Sequence, residues 1–318
     1  MKNRSLVLLS GEGTTIPAAE AKALFLAYDP YSDFESPSPR ILIARSSADP
    51  FRVGARIAFA RRVGRLIEDR SELPSLLGSR RVRFRSFDLL RKQEPADPEN
   101  VLRGVNATVD LNSPEYEVTL VRAENEFLAV TAPGSMKQAW STRRPRKRPF
   151  FHPSAIFPKL SRALVNLSRC KEGEIFLDPF AGTGSIPMEA FIIGASVVAM
   201  DQAQQMVRGA IANMKQFGQE WLGVLRVDST TQPLTRVDAI ATDIPYGRAS
   251  STRGRRPAEI LELLLPSLAD SARPSSFAVL MHPQDVRVEG TSALSVVEEH
   301  HLHVHKLLTR TITVLRRR

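Results

Sequence analysis

Residues 236–250, RVDAIATDIPYGRAS, end a short apolar run in the carboxylate of Asp243 and follow it with Ile244, Pro245 and Tyr246. These residue types have definite capacities. An ionised carboxylate accepts hydrogen bonds. Pro245 fixes its own φ and biases Ile244 to extended backbone, which aims the Ile244 carbonyl. Tyr246 offers a flat face on which a nucleobase can stack, worth ~1–3 kcal/mol per base. Alone, the tetrapeptide reads more simply as a β-turn with a surface tyrosine.

Its neighbours change that reading. Three more apolar runs end in Asp178, Asp201 and Asp228, and in an open α/β sheet ligands sit outside the carboxyl ends of the strands. The stretch DPFAGTGS (178–185) allows a sharp backbone turn and close ligand approach at Gly182 and Gly184. No Gly-Lys-Ser/Thr follows, so it is not a P-loop. The third glycine of a dinucleotide fingerprint would fall at Pro187. The acid-led turn, with Phe180 and Thr183 inside it, resembles the S-adenosylmethionine turn of class I methyltransferases. That resemblance assigns Asp201 to the ribose hydroxyls and Asp228 to the adenine amine, while His152, in RPFFHPS, frames the pocket entrance. An NAD enzyme would also want an acid at 201, so that residue does not discriminate.

DIPY does discriminate. It fits the acid-x-Pro-aromatic motif of methyltransferases that act on exocyclic amines. Such a nitrogen is a poor nucleophile because its lone pair is delocalised into the ring. Two acceptors, the Asp243 carboxylate and the Ile244 carbonyl, can take its hydrogens and direct the lone pair at a methyl group. Tyr246 then stacks a flipped-out base, and Gly247 and Arg248 let the loop turn and meet a phosphate. Carbon-5 methylation of pyrimidines usually needs a cysteine nucleophile. The single cysteine, Cys170, is far from both motifs and reads as a small buried residue.

The elements that must hold these residues follow from periodicity. From residue 151, helical and strand patterns alternate as far as SSFAVLMHP, and HLHVHKLLTRTITVLRR suits a closing hairpin. This predicts a doubly wound, Rossmann-like α/β sheet. His301, His303 and His305 would share one strand face, with no carboxylates or thiolates to make a metal site, so no metal is expected. Before residue 133 the pattern is α+β. SLVLLSGE and RILIARSS read as strands and residues 16–30 as a helix. YSDFESPSP reads as a turn, and 50–70 as helical in its second half, with Arg56, Arg61, Arg62 and Arg65 around an apolar face. RRVRFRSFDLL alternates as a strand, and 106–132 reads as three strands.

The chain has 318 residues and a net charge of +10, with 25 Lys and Arg against 18 Asp and Glu in residues 1–150. That balance favours a polyanionic partner. One cysteine excludes an internal disulfide and suggests a cytoplasmic protein; no apolar run approaches the ~18 residues of a membrane span. Residues 133–150, rich in Lys, Arg and Pro and free of acid, read as a basic linker. Arg143, Arg144, Arg146, Lys147 and Arg148 are its candidate RNA contacts, flanked by Trp140 and Phe150.

RPFFHPSAIFPKLSRALVNLSR, DPFAGTGSIPMEA, TDIPYGRAS and HVHKLLTR together resemble the archaeal-type THUMP-domain tRNA guanosine-N2 methyltransferases, which modify guanosine 10 of tRNA. The resemblance implies a ferredoxin-like domain at 1–70, a THUMP-type domain at 71–132 and a methyltransferase domain at 151–318 after the linker. It also implies S-adenosylmethionine as cofactor and tRNA as partner, gripped by the N-terminal half. Ile244 stands where that family more often has Pro, but its carbonyl survives. Other readings keep the chemistry on another tRNA position, ribosomal RNA or DNA adenine, or leave a non-catalytic RNA-binding relic. A monomer is the default expectation.

Overall fold

The computed structural model describes residues 2–12, 14–90, 96–133, 140–216, 222–230, 236–246, 254–305 and 308–318. They form two units, one of Met1–Glu12 and Leu24–Gln138, the other of Gly13–Ala23 and Ala139–Arg318.

The first unit is built on one sheet of β1 (Asn3–Leu9), β2 (Asp33–Ser38), β3 (Ile41–Ser46), β4 (Ala60–Ile67), β5 (Arg81–Asp88), β6 (Thr108–Val109), β7 (Tyr116–Arg122) and β8 (Glu126–Thr131). Their spatial order is β2-β3-β1-β4-β8-β7-β5-β6. The sheet is antiparallel except where β5 runs parallel to β6 and β7. Four helices accompany it in sequence: α1 (Ile16–Tyr28), whose first half belongs to the second unit, α2 (Pro50–Arg56), α3 (Glu72–Leu77) and α4 (Pro98–Val101). Leu6, Leu8, Ile41, Ile43 and Leu66 meet in one apolar cluster, and Leu73, Leu77, Val82, Val118 and Leu120 in another. The sheet crosses residue 70 without a break, because β4 pairs with β8.

Two expectations are corrected here. The second half of 50–70 is strand β4, not helix. Its backbone pairs with β1 on one side and β8 on the other. Gly64 lies so close to β8 that a Cβ would stand 2.2 Å from the Val130 carbonyl oxygen. Arg56 is buried and donates to the Tyr28 hydroxyl at 2.7 Å, and Arg62 pairs with the buried Glu117 at 2.9 Å. Of that arginine group, Arg61 and Arg65 remain exposed. Residues 33–38, read as a turn, form the edge strand β2. Among the described residues it pairs only with β3, and an edge tolerates Pro37.

The second unit holds β9 (Ile175–Asp178), β10 (Ser196–Asp201), β11 (Gly223–Arg226), β12 (Val237–Asp243), β13 (Ala272–Pro283), β14 (Leu294–His305) and β15 (Leu308–Arg317) in the order β11-β10-β9-β12-β13-β15-β14. Strands β9 to β13 are parallel, and β15 inserts antiparallel between β13 and β14. Its helices are α5 (Pro158–Leu167), α6 (Ser185–Ile192), α7 (Gln204–Lys215) and α8 (Pro257–Ser271). This is the expected doubly wound sheet with a closing hairpin. The chain runs outward from β9 to β10 and β11, then returns to the other side of β9 as β12. The mouth between β9 and β12 is therefore a topological switch point, where such sheets bind ligands.

Residues 140–150, part of the stretch 133–150 read as a basic linker, group with this unit. Glu189 of α6 is 1% exposed and takes Arg143 at 2.7 Å and Arg162 at 2.8 Å. Both guanidinium groups approach the Trp140 ring, at 5.1 and 5.9 Å from its centroid. Cys170 is fully buried, as expected of a small core residue. His300 is buried between Thr15 and Glu298, while His301 faces Thr311 across the β14–β15 hairpin. Among the described residues, no group of three His, Cys, Asp or Glu is placed to hold a metal. None of their helices is long and apolar enough to cross a membrane.

Candidate active site

A cleft of about 350 Å³ opens at the switch point. Asp178 ends β9, Asp201 ends β10 and Asp243 ends β12, and all three line it. Phe180, Gly182, Thr183, Ile244, Pro245 and Tyr246 join them, with Gln202, Met206 and residues 153–156 completing the wall.

The turn after β9 is shaped by its glycines. Gly182 has φ 51° and Gly184, the N-cap of α6, has φ 82°. Both lie in the left-handed region that side-chain-bearing residues avoid. The Gly182 N–H donates to Asp201 at 3.0 Å, and the other Asp201 oxygen accepts from Ala203 N–H at 2.8 Å. Burial raises the Asp201 carboxyl above its ordinary range, and these two bonds oppose the rise. Asp178 is 1% exposed. Its Oδ1 bonds the Thr242 hydroxyl at 2.6 Å and the Phe180 N–H at 3.1 Å. Burial nonetheless dominates and pushes the Asp178 carboxyl up to about 7.

The basic segment is tied to the wall of the cleft from outside. Asn213 of α7 pairs with both backbone groups of Phe150, at 2.8 and 2.9 Å, and also donates to the Thr183 carbonyl at 2.9 Å. Arg148 donates to the Arg143 carbonyl at 3.0 Å, to the Ser185 hydroxyl at 2.7 Å and to the Ile156 carbonyl at 3.4 Å. It is buried, and desolvation lowers its guanidinium to about 10. Arg143 and Arg148 are thus corrected from candidate RNA contacts to internal ties: both are buried and engaged within the unit. Arg144, Arg146 and Lys147 stay exposed.

The 243–246 tip is held from two strands. The Ile244 N–H donates to the Met281 carbonyl of β13 at 2.8 Å, and the Ile244 side chain is fully buried. Arg310 of β15 pairs with the Asp243 carboxylate, donates to the Tyr246 hydroxyl at 2.5 Å and lies 4.2 Å from the centre of the Tyr246 ring.

Three expected cofactor residues are not among those lining the cleft. His152 is bonded to Ser154 on the lip, and it is the neighbouring 153–156 that face inward. Asp228 lies two residues past β11, where Thr230 and Arg255 take its carboxylate. Gly184 caps α6 behind the turn. Gly247 and Arg248 lie outside the described residues. Arg310, Asn213 and Glu189 were given no role from sequence, although Arg310 closes the HVHKLLTR stretch.

The residues fit an S-adenosylmethionine-like ligand better than a dinucleotide. Three carboxylates, and among the described residues no Lys, Arg or His, line the cleft. That favours a cationic, hydroxyl-bearing nucleoside and repels a diphosphate. Phe180, Ile156, Ile186 and Met206 supply apolar walls.

Comparison with known proteins agrees. Residues 145–311 match the family model described as UPF0020, RMKL-like, methyltransferase domain. The chain is 30% identical to the tRNA (guanine(10)-N2)-dimethyltransferase of Methanothermobacter thermautotrophicus over 98% of its length and 99% of that protein's. It is 31% identical to the enzyme of the same name from Methanocaldococcus jannaschii, over 67% of this chain and 61% of that one. Among solved structures, TrmN from Thermus thermophilus superposes over 99% of this chain and all of its own, with TM-score 0.51 and 18% identity, a likeness of fold. The acid-lined switch-point cleft, the amine-type motif at its mouth and these relatives agree: the chain belongs to the S-adenosylmethionine-dependent tRNA guanine-N2 methyltransferase family, with the RMKL-like methyltransferase domain of UPF0020.

Proposed function

We propose that this protein methylates the exocyclic N2 of a guanosine in tRNA, at position 10. The supporting observation is that Asp243, Ile244 and Tyr246 line the same cleft as Asp178, Gly182 and Asp201. Amine acceptors and cofactor-binding residues thus share one cavity. Bound there, S-adenosylmethionine supplies an electrophilic methyl group on a sulfonium. Asp178, Asp201 and the 180–183 turn would hold it.

The chain's own contribution is orientation. A flipped-out guanine stacks on Tyr246, which recovers part of the few kcal/mol of extrusion. Its amino group gives one hydrogen to Asp243 and the other to the Ile244 carbonyl, so the lone pair turns toward the methyl group. The proton released on transfer leaves through Asp243 or directly to solvent. A monomethylated amine retains one N–H and can satisfy only one of the two acceptors, so a second transfer proceeds more slowly than the first.

Exposed Arg146 lies 5.8 Å from the ring centre of exposed Phe151, and Arg144, Lys147 and Phe157, close by in sequence, are exposed as well. Cations interleaved with aromatic faces suit a nucleic-acid strand. Most of the affinity for tRNA comes from phosphate contacts.

The test is methylation of unmodified tRNA transcripts, with nucleoside mass spectrometry and position mapping, for wild type and Asp243→Ala. Loss of one pre-organised polar partner predicts a turnover drop of ~10²–10³, with tRNA binding largely kept. Methylation of another base, or undiminished turnover in the variant, overturns the reading.

A further inference from the structure

Arg310 lies 67 positions from Asp243 in sequence, on the antiparallel strand β15. It is nevertheless the group that touches both side chains of the catalytic tip. One terminal nitrogen meets the Asp243 carboxylate and the other donates to the Tyr246 hydroxyl at 2.5 Å. Its guanidinium carbon also sits 4.2 Å from the Tyr246 ring centre. Asp243 and Tyr246 line the cleft, whereas Arg310 does not. The guanidinium therefore reaches both residues from behind the cavity wall.

Its burial makes this arrangement costly unless it is used. Arg310 is 5% exposed, and its Nε has no partner among the described residues. Desolvation lowers its guanidinium to about 10, still far above neutrality. A buried cation held by one carboxylate and one phenol is a poor device for stability alone. As a fork it is well suited to hold two groups at once in fixed geometry.

We infer that Arg310 is a positioning residue for methyl transfer: it clamps the Asp243 acceptor and the Tyr246 stacking face into one rigid unit. The role rests on the amine-orienting function proposed for Asp243 and Tyr246. With the fork in place, one carboxylate oxygen is committed to the guanidinium, and the carboxylate cannot rotate away from the incoming amine. The tyrosine is tied to the same cation, so stacking plane and acceptor keep their mutual angle.

The experiment compares Arg310→Lys, Tyr246→Phe and the double variant with wild type. Lysine keeps the charge but is a single point donor. Misplacement on the scale of an ångström predicts a fall in single-turnover rate of roughly tenfold to a hundredfold. Melting temperature, S-adenosylhomocysteine affinity and tRNA affinity are expected to stay near wild type. Tyr246→Phe breaks the same clamp, so the double variant loses no more than the worse single variant.

A ligand-free readout accompanies the kinetics. In wild type the two terminal guanidinium nitrogens of Arg310 give separate NMR resonances because rotation is hindered. In Tyr246→Phe they merge. Unchanged turnover in Arg310→Lys, additive losses, or a rate loss matched by lost stability or cofactor binding would each overturn the clamp. If wild type methylates a different nucleic acid, the tRNA reading fails and the same comparison on that substrate decides the role of Arg310.

Discussion

The buried carboxyl of Asp178 makes cofactor affinity depend on pH. In the free protein burial pushes it up to about 7, with the nearby Asp201 charge adding to the rise. A ligand carrying positive charge favours the ionised form once bound. Below pH 7 the free protein must therefore give up a proton to bind, and affinity rises as pH rises. With the carboxyl at about 7, roughly a tenth of molecules carry the anion at pH 6 and about nine-tenths at pH 8, so affinity grows about tenfold over that interval.

Calorimetric titration with S-adenosylmethionine in buffers of different ionisation enthalpy measures both the affinity and the proton released. Asp178→Asn removes the titrating group and flattens the slope, whatever it does to absolute affinity. The ligand's own amine is common to both measurements and cancels in the comparison. A stability effect runs alongside. The folded value lies above the ~3.9 of an exposed aspartate, so stability is lost as pH rises from about 4 through 7, by up to ~4 kcal/mol. Asp178→Asn thus melts higher than wild type at pH 8, and the gap closes at pH 4. An affinity that is flat between pH 6 and 8 in wild type, or a slope unchanged in Asp178→Asn, would refute the reasoning.

Two further substitutions probe the ties of the basic segment. Glu189→Gln leaves Arg143 and Arg162 buried without their anion, and a denaturant titration should show ~3–5 kcal/mol of lost stability. Gly209→Ala in α7 would ordinarily stabilise a helix by ~1 kcal/mol. Here the new Cβ would fall 2.0 Å from the Phe150 ring, so melting temperature drops and S-adenosylhomocysteine binding weakens as residues 149–156 are displaced.

The parts of the site legible in sequence are those fixed by a single element. Acids at strand ends, a glycine turn before a helix and a proline after a catalytic acid each carry their geometry within a few residues. Asp178, Asp201 and Asp243 reach one cleft because parallel strands bring their carboxyl ends to the same edge. What stayed hidden depends on partners far along the chain. The basic segment looks solvated until Glu189, 46 residues beyond Arg143, supplies a buried anion. Residues 60–67 carry arginines at spacings that suit a helix face, yet pairing on both edges and the close approach at Gly64 make them a strand. Asp228 followed the strand-end pattern, but β11 stops at Arg226, and two extra residues turn the carboxylate toward Thr230 and Arg255.

Ile244 shows how the catalytic tip tolerates a departure from the commoner motif. A proline there would restrict the backbone through its ring and offer no N–H. Isoleucine instead donates at 2.8 Å to the carbonyl of Met281, the β13 residue whose register partner in β12 is Asp243. The β12–β13 ladder is thereby carried one residue past the catalytic acid. Its side chain, fully buried, anchors the same residue in the apolar cluster with Ile240 and Leu280. The peptide carbonyl proposed to accept a substrate hydrogen is thus held by an inter-strand bond before it and by Pro245 after it. Arg310 fixes the flanking side chains, so backbone and side-chain acceptors are positioned by different strands of one sheet. Catalysis by orientation asks for that rigidity, because a nitrogen with a delocalised lone pair gains reactivity only while its hydrogens are held.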